Sequence, residues 1–101
     1  MTQEEGREAL DQLRVEIDDV DLRILALLNE RTRIVERIGS IKRRAALPIY
    51  EPKREDQVFD NVIGNNSGPL PAEGVKRIFE RIMDEMRRVQ RLRMEAQSTE
   101  K

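Results

Sequence analysis

The sequence predicts an all-α fold of three helices, the first of them unusually long. Apolar residues recur at alternating steps of three and four along most of the chain, which is the spacing of one face of a helix. Pro48 interrupts this spacing once, and an Asn-Asn-Ser-Gly-Pro cluster at residues 65–69 interrupts it again. We find no convincing strand pattern. The two interruptions therefore divide the chain into three helices.

The first helix is predicted over about residues 5–44. Thr2 and Glu5 have the spacing of a capping box at its start. Pro48 cannot continue a helix and disfavours helical geometry at Leu47, so the helix ends in a short connector. Its apolar seam consists of Leu10, Leu13, Ile17, Val20, Ile24, Leu27, Ile34, Ile38 and Ile41.

Two further helices are predicted over about residues 52–65 and 71–94. Pro52 and Pro71 suit the first turns of these helices, and Glu73 favours the same turn of the third. The apolar face of the second helix consists of Val58, Phe59, Val62 and Ile63. The apolar face of the third helix consists of Val75, Phe79, Ile82, Met86 and Val89, followed by Arg93. The polar tail 95–101 is expected to fray. We expect residues 1–101 to form one helical domain.

The first helix is too long for a compact monomer. From Leu10 to Ile41 it would span roughly 45–50 Å, whereas a globule of this size has a radius of gyration of about 13 Å. Much of the seam must therefore pack against a partner outside its own subunit, which predicts a helical homodimer.

Composition excludes several classes of function. The 19 basic and 20 acidic residues nearly cancel, so neither nucleic-acid nor anionic-membrane binding is expected. We see neither an apolar run of membrane-spanning length nor a signal-peptide pattern, and we expect a cytoplasmic protein. The absence of Cys and His removes disulfides, thiolate and imidazole chemistry and the usual zinc site, so no metal is expected. Any catalysis must rely on Arg, Lys, carboxylates and amides.

Three cations lie on or beside the seam of the first helix. Arg31 is the one polar residue within the seam, Arg14 flanks it, and Lys42 follows Arg31 by three helical turns. Burying a charge without a counter-ion is costly, so an anionic ligand is a natural partner. A coiled-coil dimer in which Arg31 only fixes the register is the alternative, and the seam alone does not decide between them.

A second group of polar residues follows the connector. Glu51 and Glu55 lie one helical turn apart with Arg54 on a neighbouring face, although an ordinary helix start would look similar. In the third helix, Gln90 follows Met86 by one turn beside the apolar stripe, where a lone Gln is usually a boundary residue. The combination of these residues is more informative than any one of them.

Together these residues resemble the all-helical chorismate mutases, whose three-helix subunits form an intertwined dimer. The resemblance covers nearly the whole chain, through the segments LRVEIDDVDLRILALLNERTRIVERIGSIK, PIYEPKREDQVFDNVI and IFERIMDEMRRVQ. The segment DNVIGNNSGP is similar to mutase domains fused to deoxyheptulosonate phosphate synthase, the first enzyme of the shikimate pathway. The resemblance therefore also implies fusion to, or association with, that enzyme.

The activity implied by the resemblance is the pericyclic rearrangement of chorismate to prephenate, a step of aromatic amino-acid biosynthesis. This reaction requires no nucleophile, no proton abstraction and no cofactor. The site must hold a flexible dicarboxylate in its reactive conformer and stabilise negative charge on the ether oxygen as the C–O bond breaks. Fixed cations and amide donors are sufficient for both tasks.

The resemblance also implies the role of each site residue. Arg31 and Arg14 would bind substrate carboxylates, with Arg14 contributed by the other subunit. Lys42 would contact a carboxylate and the ether oxygen, and Gln90 would donate a second hydrogen bond to that oxygen. The remaining roles fall to Glu51 and Glu55 at the ring hydroxyl, to Arg54 in the cationic lining and to Ile38 as a shape-setting wall.

Two positions depart from the family pattern. Glu51 stands where some relatives have Asp, and Met86 stands where some have a Ser that can bind a carboxylate. A backbone amide or Arg87 could replace that donor. Two alternatives stay open at this point: isochorismate pyruvate lyase, which has the same fold, and a regulatory or assembly module for a shikimate-pathway enzyme.

Overall fold

The computed structural model describes the backbone of residues 1–99 and the side chains of residues 1–96. It contains three helices, α1 (Gln3–Arg44), α2 (Pro52–Gly64) and α3 (Ala72–Thr99), and no strand within the described residues. The predicted all-α fold with a long first helix is confirmed. Helix α3 continues five residues beyond the predicted end at residue 94. None of the described helices is long and apolar enough to cross a membrane.

The chain divides into two compact units, Met1–Arg33 and Ile34–Lys101. The first unit is helical almost throughout. The capping box predicted at its start is present, because Thr2 Oγ1 accepts from the Glu5 backbone N–H at 3.1 Å and Glu5 Oε1 accepts from the Thr2 N–H at 3.4 Å. The apolar seam of this unit is exposed, with Leu13 at 59% and Leu27 at 64%. That the whole chain forms a single domain stays a prediction.

The second unit contains the end of α1 together with α2 and α3. Helix α2 packs against α3. Among the described side chains of this unit, the buried residues are Val35 and Gly39 of α1 and Val75, Met83, Met86 and Gln90 of α3. By contrast, the seam residues Ile34, Ile38 and Ile41 are exposed. The face of α1 that carries Val35 and Gly39 therefore packs within this unit, and the seam lies outside its core.

Helix α1 ends in a backbone motif that reverses the chain. The Leu47 N–H donates to the Lys42 carbonyl at 2.8 Å, and the Ala46 N–H donates to the Arg43 carbonyl at 3.3 Å, which is the pair of bonds that defines a Schellman motif. Ala46 has φ 55°, a left-handed conformation that usually favours glycine. This turn places the following connector beside the last turn of α1.

The loop between α2 and α3 is organised by asparagine side chains. Asn65 Nδ2 donates to the Asn61 carbonyl at 2.8 Å, and Asn66 Nδ2 donates to the Leu70 carbonyl at 2.7 Å. Asn66 Oδ1 also accepts from the Gly68 N–H at 3.0 Å, and Gly68 has a φ of 78°. These local bonds compete with helical ones, which explains why α2 ends at the predicted cluster.

Candidate active site

Lys42 lies in the last turn of α1 and is held by the connector. Its Nζ donates to the Ile49 carbonyl at 2.9 Å and lies 3.9 Å from Glu51 Oε1, and its side chain is only 12% exposed. An ammonium group has three N–H donors, and Ile49 accepts one of them. Lys42 is therefore fixed in position and has N–H donors beyond the one that Ile49 accepts.

Gln90 is the buried polar side chain among the described side chains of α3, at 7% exposure. Its Oε1 has no hydrogen-bond partner among the described residues. The side chain packs on Gly39, where an added Cβ would lie 3.4 Å from Gln90 Cγ. Gly39 and Lys42 are three residues apart on α1 and so occupy neighbouring positions on one helix surface. Gln90 consequently lies beside the turn of α1 that carries Lys42.

Arg87 joins α3 to α2 and to the connector. Its Nη1 lies 3.2 Å from Glu55 Oε2 and 3.5 Å from Glu55 Oε1. Its Nη2 donates to Asp84 on α3, and its Cζ lies 5.2 Å from the centre of the Tyr50 ring. The Arg87 and Glu55 side chains are 25% and 21% exposed. The result is a half-buried ion pair covered on one side by an aromatic ring.

Glu51 and Glu55 lie one helical turn apart but form ion pairs with different cations, Lys42 and Arg87 respectively. Glu51 is the N-cap residue of α2, and its carboxylate approaches Lys42 without making a side-chain capping hydrogen bond to α2. Its carbonyl accepts from the Glu55 N–H at 3.1 Å, while the Glu55 carboxylate pairs with Arg87. The two acidic side chains therefore connect α2 to α1 and to α3 respectively.

The second unit leaves two predicted site residues at its surface. Arg54 is exposed and donates to Gln57 on α2 at 3.3 Å, and we find no contact from it to Lys42 or Gln90 in the described part of the chain. Ile38 is an exposed residue of α1. The structure thus brings together Lys42 with Glu51, places Gln90 nearby, and leaves Arg54 apart from them.

Arg14 and Arg31 belong to the first unit. Arg14 is exposed and pairs with Asp11, three residues earlier, at 3.5 Å. Arg31 is half-buried. Their predicted roles in substrate binding stay predictions.

The sequence names Arg87 only as a replacement for the donor missing at Met86, and it does not indicate the contacts of Arg87, Tyr50 or the Ile49 carbonyl. Helix α3 carries six arginines, and nothing in their spacing distinguishes Arg87 except that it lies three residues before Gln90. A backbone carbonyl leaves no side-chain signal. The close packing of another side chain on Gly39 could have been predicted, because a glycine inside a helix usually marks such an approach.

A fixed ammonium, a buried amide and two half-buried carboxylates at the junction of three helices define an all-helical protein with a polar site of fixed hydrogen-bond donors and acceptors. Residues 13–91 match the chorismate mutase type II family, and the chain belongs to that family. The family-level resemblance noted in the sequence is therefore confirmed.

Similar proteins include a bifunctional enzyme and two chorismate mutases. The chain is 42% identical over 80 residues to a bifunctional chorismate mutase/prephenate dehydratase of Aquifex aeolicus. The aligned region covers 75% of this chain and 22% of the relative. It is 34% identical over 55 residues to a chorismate mutase of Methanocaldococcus jannaschii, covering 54% of this chain and 56% of the relative. A solved chorismate mutase of Thermus thermophilus superposes with a TM-score of 0.80 at 35% identity, covering 82% of this chain and 94% of that one.

Proposed function

We propose that the chain is a chorismate mutase that rearranges chorismate to prephenate in aromatic amino-acid biosynthesis. The observation that carries this proposal is the position of Gln90, a buried amide packed on Gly39 beside the turn of Lys42. Family membership agrees with it. The reaction transfers no proton to or from the protein, so an ammonium and an amide are adequate catalytic groups.

In the proposed mechanism, Lys42 and Gln90 stabilise the charge that develops on the ether oxygen. The ammonium of Lys42 is already held by Ile49 and Glu51, so little reorganisation is required when substrate binds. The Gln90 amide donates a second hydrogen bond to the same oxygen. Two fixed donors favour the transition state over the ground state because the negative charge grows as the C–O bond breaks.

Arg14 and Arg31 are proposed to bind the two substrate carboxylates in an intertwined homodimer, with Arg14 reaching the neighbouring subunit's site. Two properties of the first unit support a dimer. Its apolar seam is exposed, which in a folded protein usually marks an interface. The Arg14 side chain is 67% exposed and makes only a weak surface ion pair with Asp11, so it is accessible to a neighbouring subunit.

The remaining roles complete the site. Glu51 and Glu55 are proposed to accept from the ring hydroxyl, and both are anchored by cations that would keep their carboxylates oriented. Arg54 and Ile38 are proposed to line the pocket once a second subunit covers the exposed surfaces on which they lie. We expect a cytoplasmic enzyme.

Association with deoxyheptulosonate phosphate synthase stays a prediction. The Aquifex relative instead combines its mutase with prephenate dehydratase. The chain spans about a fifth of the length of the bifunctional relatives.

The test is to follow the loss of chorismate absorbance with purified protein and to identify the product. Prephenate is expected. Lys42→Met should lower kcat/KM by at least about 100-fold, whereas Lys53→Met, at an exposed position of α2, should leave it unchanged. Pyruvate as the product would indicate a lyase, and no turnover would contradict the proposed function.

A further inference from the structure

We propose that Arg87 is a positioning residue that fixes the Glu55 carboxylate and thereby makes the site selective for the substrate's ring hydroxyl. The proposal rests on the proposed mutase function and on the role of Glu55 within it. It assigns to Arg87 a task that the motif residues do not include, because Arg87 acts through Glu55 and does not touch substrate itself.

The geometry of Arg87 fits a positioning role. Its Nη1 spans both carboxylate oxygens of Glu55, at 3.2 and 3.5 Å, so the carboxylate is restrained in rotation as well as in distance. The guanidinium is in turn held by Asp84 on its own helix and by the Tyr50 ring at 5.2 Å. Three elements of the second unit therefore fix the orientation of a single carboxylate.

The local charge argues against Arg87 as a direct ligand of a substrate carboxylate. Its one positive charge faces two carboxylates, those of Glu55 and Asp84, so the three side chains together carry a net negative charge. A third carboxylate would be repelled from this group. The same net negative charge suits a hydroxyl donor, because an ionised carboxylate is an acceptor only. Arg87 therefore does not replace the donor lost at Met86.

The burial of the Arg87 and Glu55 side chains makes the loss of either partner costly. Both side chains are about three-quarters or more buried, so removing the cation would leave Glu55 partly desolvated without its partner. Such a carboxylate would change rotamer to reach water. It would then no longer lie where the ring hydroxyl requires an acceptor, and an ordered hydrogen bond to substrate would be lost.

The experiment compares kcat/KM for chorismate with kcat/KM for the analogue in which hydrogen replaces the ring hydroxyl. In the wild type the ratio of the two values should favour chorismate. In Arg87→Met it should fall by roughly 10-fold or more, the loss expected for one hydrogen bond to a charged group. Glu55→Gln should lower the ratio similarly, and the double variant should add little further loss because both changes remove one interaction.

Arg93→Met is the matched control. Arg93 also lies on α3 and forms an ion pair with Glu36 of α1, but neither residue is assigned to substrate. Its ratio should equal that of the wild type. Arg87→Lys keeps the charge with a single point of contact, so it should fold and give an intermediate ratio.

The outcomes separate this inference from the proposed function. Wild-type protein without mutase turnover would overturn both. Wild-type turnover combined with an unchanged ratio in Arg87→Met and Arg87→Lys would overturn the positioning role alone, even if both variants were less stable by thermal denaturation. If Arg87→Met fails to fold, an unchanged ratio in Arg87→Lys is sufficient to reject the inference.

Discussion

Replacing Gln90 by methionine should make the protein more stable and nearly inactive. Gln90 is 7% exposed, and its Oε1 has no hydrogen-bond partner among the described residues. A buried acceptor without a partner costs about 1–3 kcal/mol. Methionine has a similar length and no such acceptor, so Gln90→Met should raise the free energy of unfolding by about 1–2 kcal/mol. For a domain of this size each kcal/mol corresponds to about 4–8 °C in Tm.

The same substitution removes the amide that we propose to stabilise the ether oxygen, so kcat should fall by roughly 100- to 1,000-fold. Stability would be measured by chemical and thermal unfolding at one protein concentration, since dissociation of an oligomer also contributes. Gln57→Met, at an exposed position of α2, is the control and should change stability by less than about 0.5 kcal/mol. A Gln90→Met variant that is less stable than wild type would refute the reasoning about the buried acceptor, and one that retains wild-type kcat would refute the catalytic role.

Gln90→Glu should be active at acidic pH, where the protonated carboxyl still donates, and should lose activity as the pH rises and the carboxylate repels the developing oxyanion; a pH–rate profile parallel to that of the wild type would contradict this. Ala46→Gly should raise the free energy of unfolding by about 0.5–1 kcal/mol, because Ala46 occupies a left-handed conformation that costs a non-glycine residue more. Arg14→Ala and Arg31→Ala homodimers should each be nearly inactive, whereas co-refolding equal amounts should restore about a quarter of wild-type activity, since half the dimers are mixed and one of their two sites is intact. A mass-tagged chain would verify that heterodimers formed, and their presence without recovered activity would show that Arg14 does not serve the neighbouring site.

The fold could be predicted from the sequence because helix punctuation is local. The capping box at Thr2, Pro48 after α1 and the asparagine cluster after α2 each act through backbone groups a few residues away, so their effects do not depend on tertiary structure. The burial of α1 was less predictable. Ile34 of the apolar seam is exposed, whereas Val35, outside the seam, is buried in the second unit. Sequence spacing identifies the apolar faces of a helix but does not indicate which partner covers each face.

The sequence indicates candidate site residues where a family motif includes them, and it does not indicate the contacts that hold them in position. The family resemblance names Lys42 and Gln90, and α3 packs Gln90 on Gly39, three residues before Lys42 on α1. Their roles stay predictions. The Arg87–Glu55 pair joins residues 32 positions apart. Nothing in an arginine-rich helix reveals which of its cations is paired and which is solvated, since this depends on the packing of α2 against α3.

Three locally unfavourable features occur close together in the second unit. Ala46 adopts a left-handed conformation, Glu51 occupies the N-cap of α2 without capping it, and Gln90 buries an acceptor. Each costs stability, and each bears on the same group: the Ala46 turn returns the connector to Lys42, Glu51 directs its carboxylate to Lys42, and Gln90 lies beside the turn that carries Lys42. Natural sequences are locally consistent except where function requires otherwise, so three exceptions around one ammonium support the site that we propose.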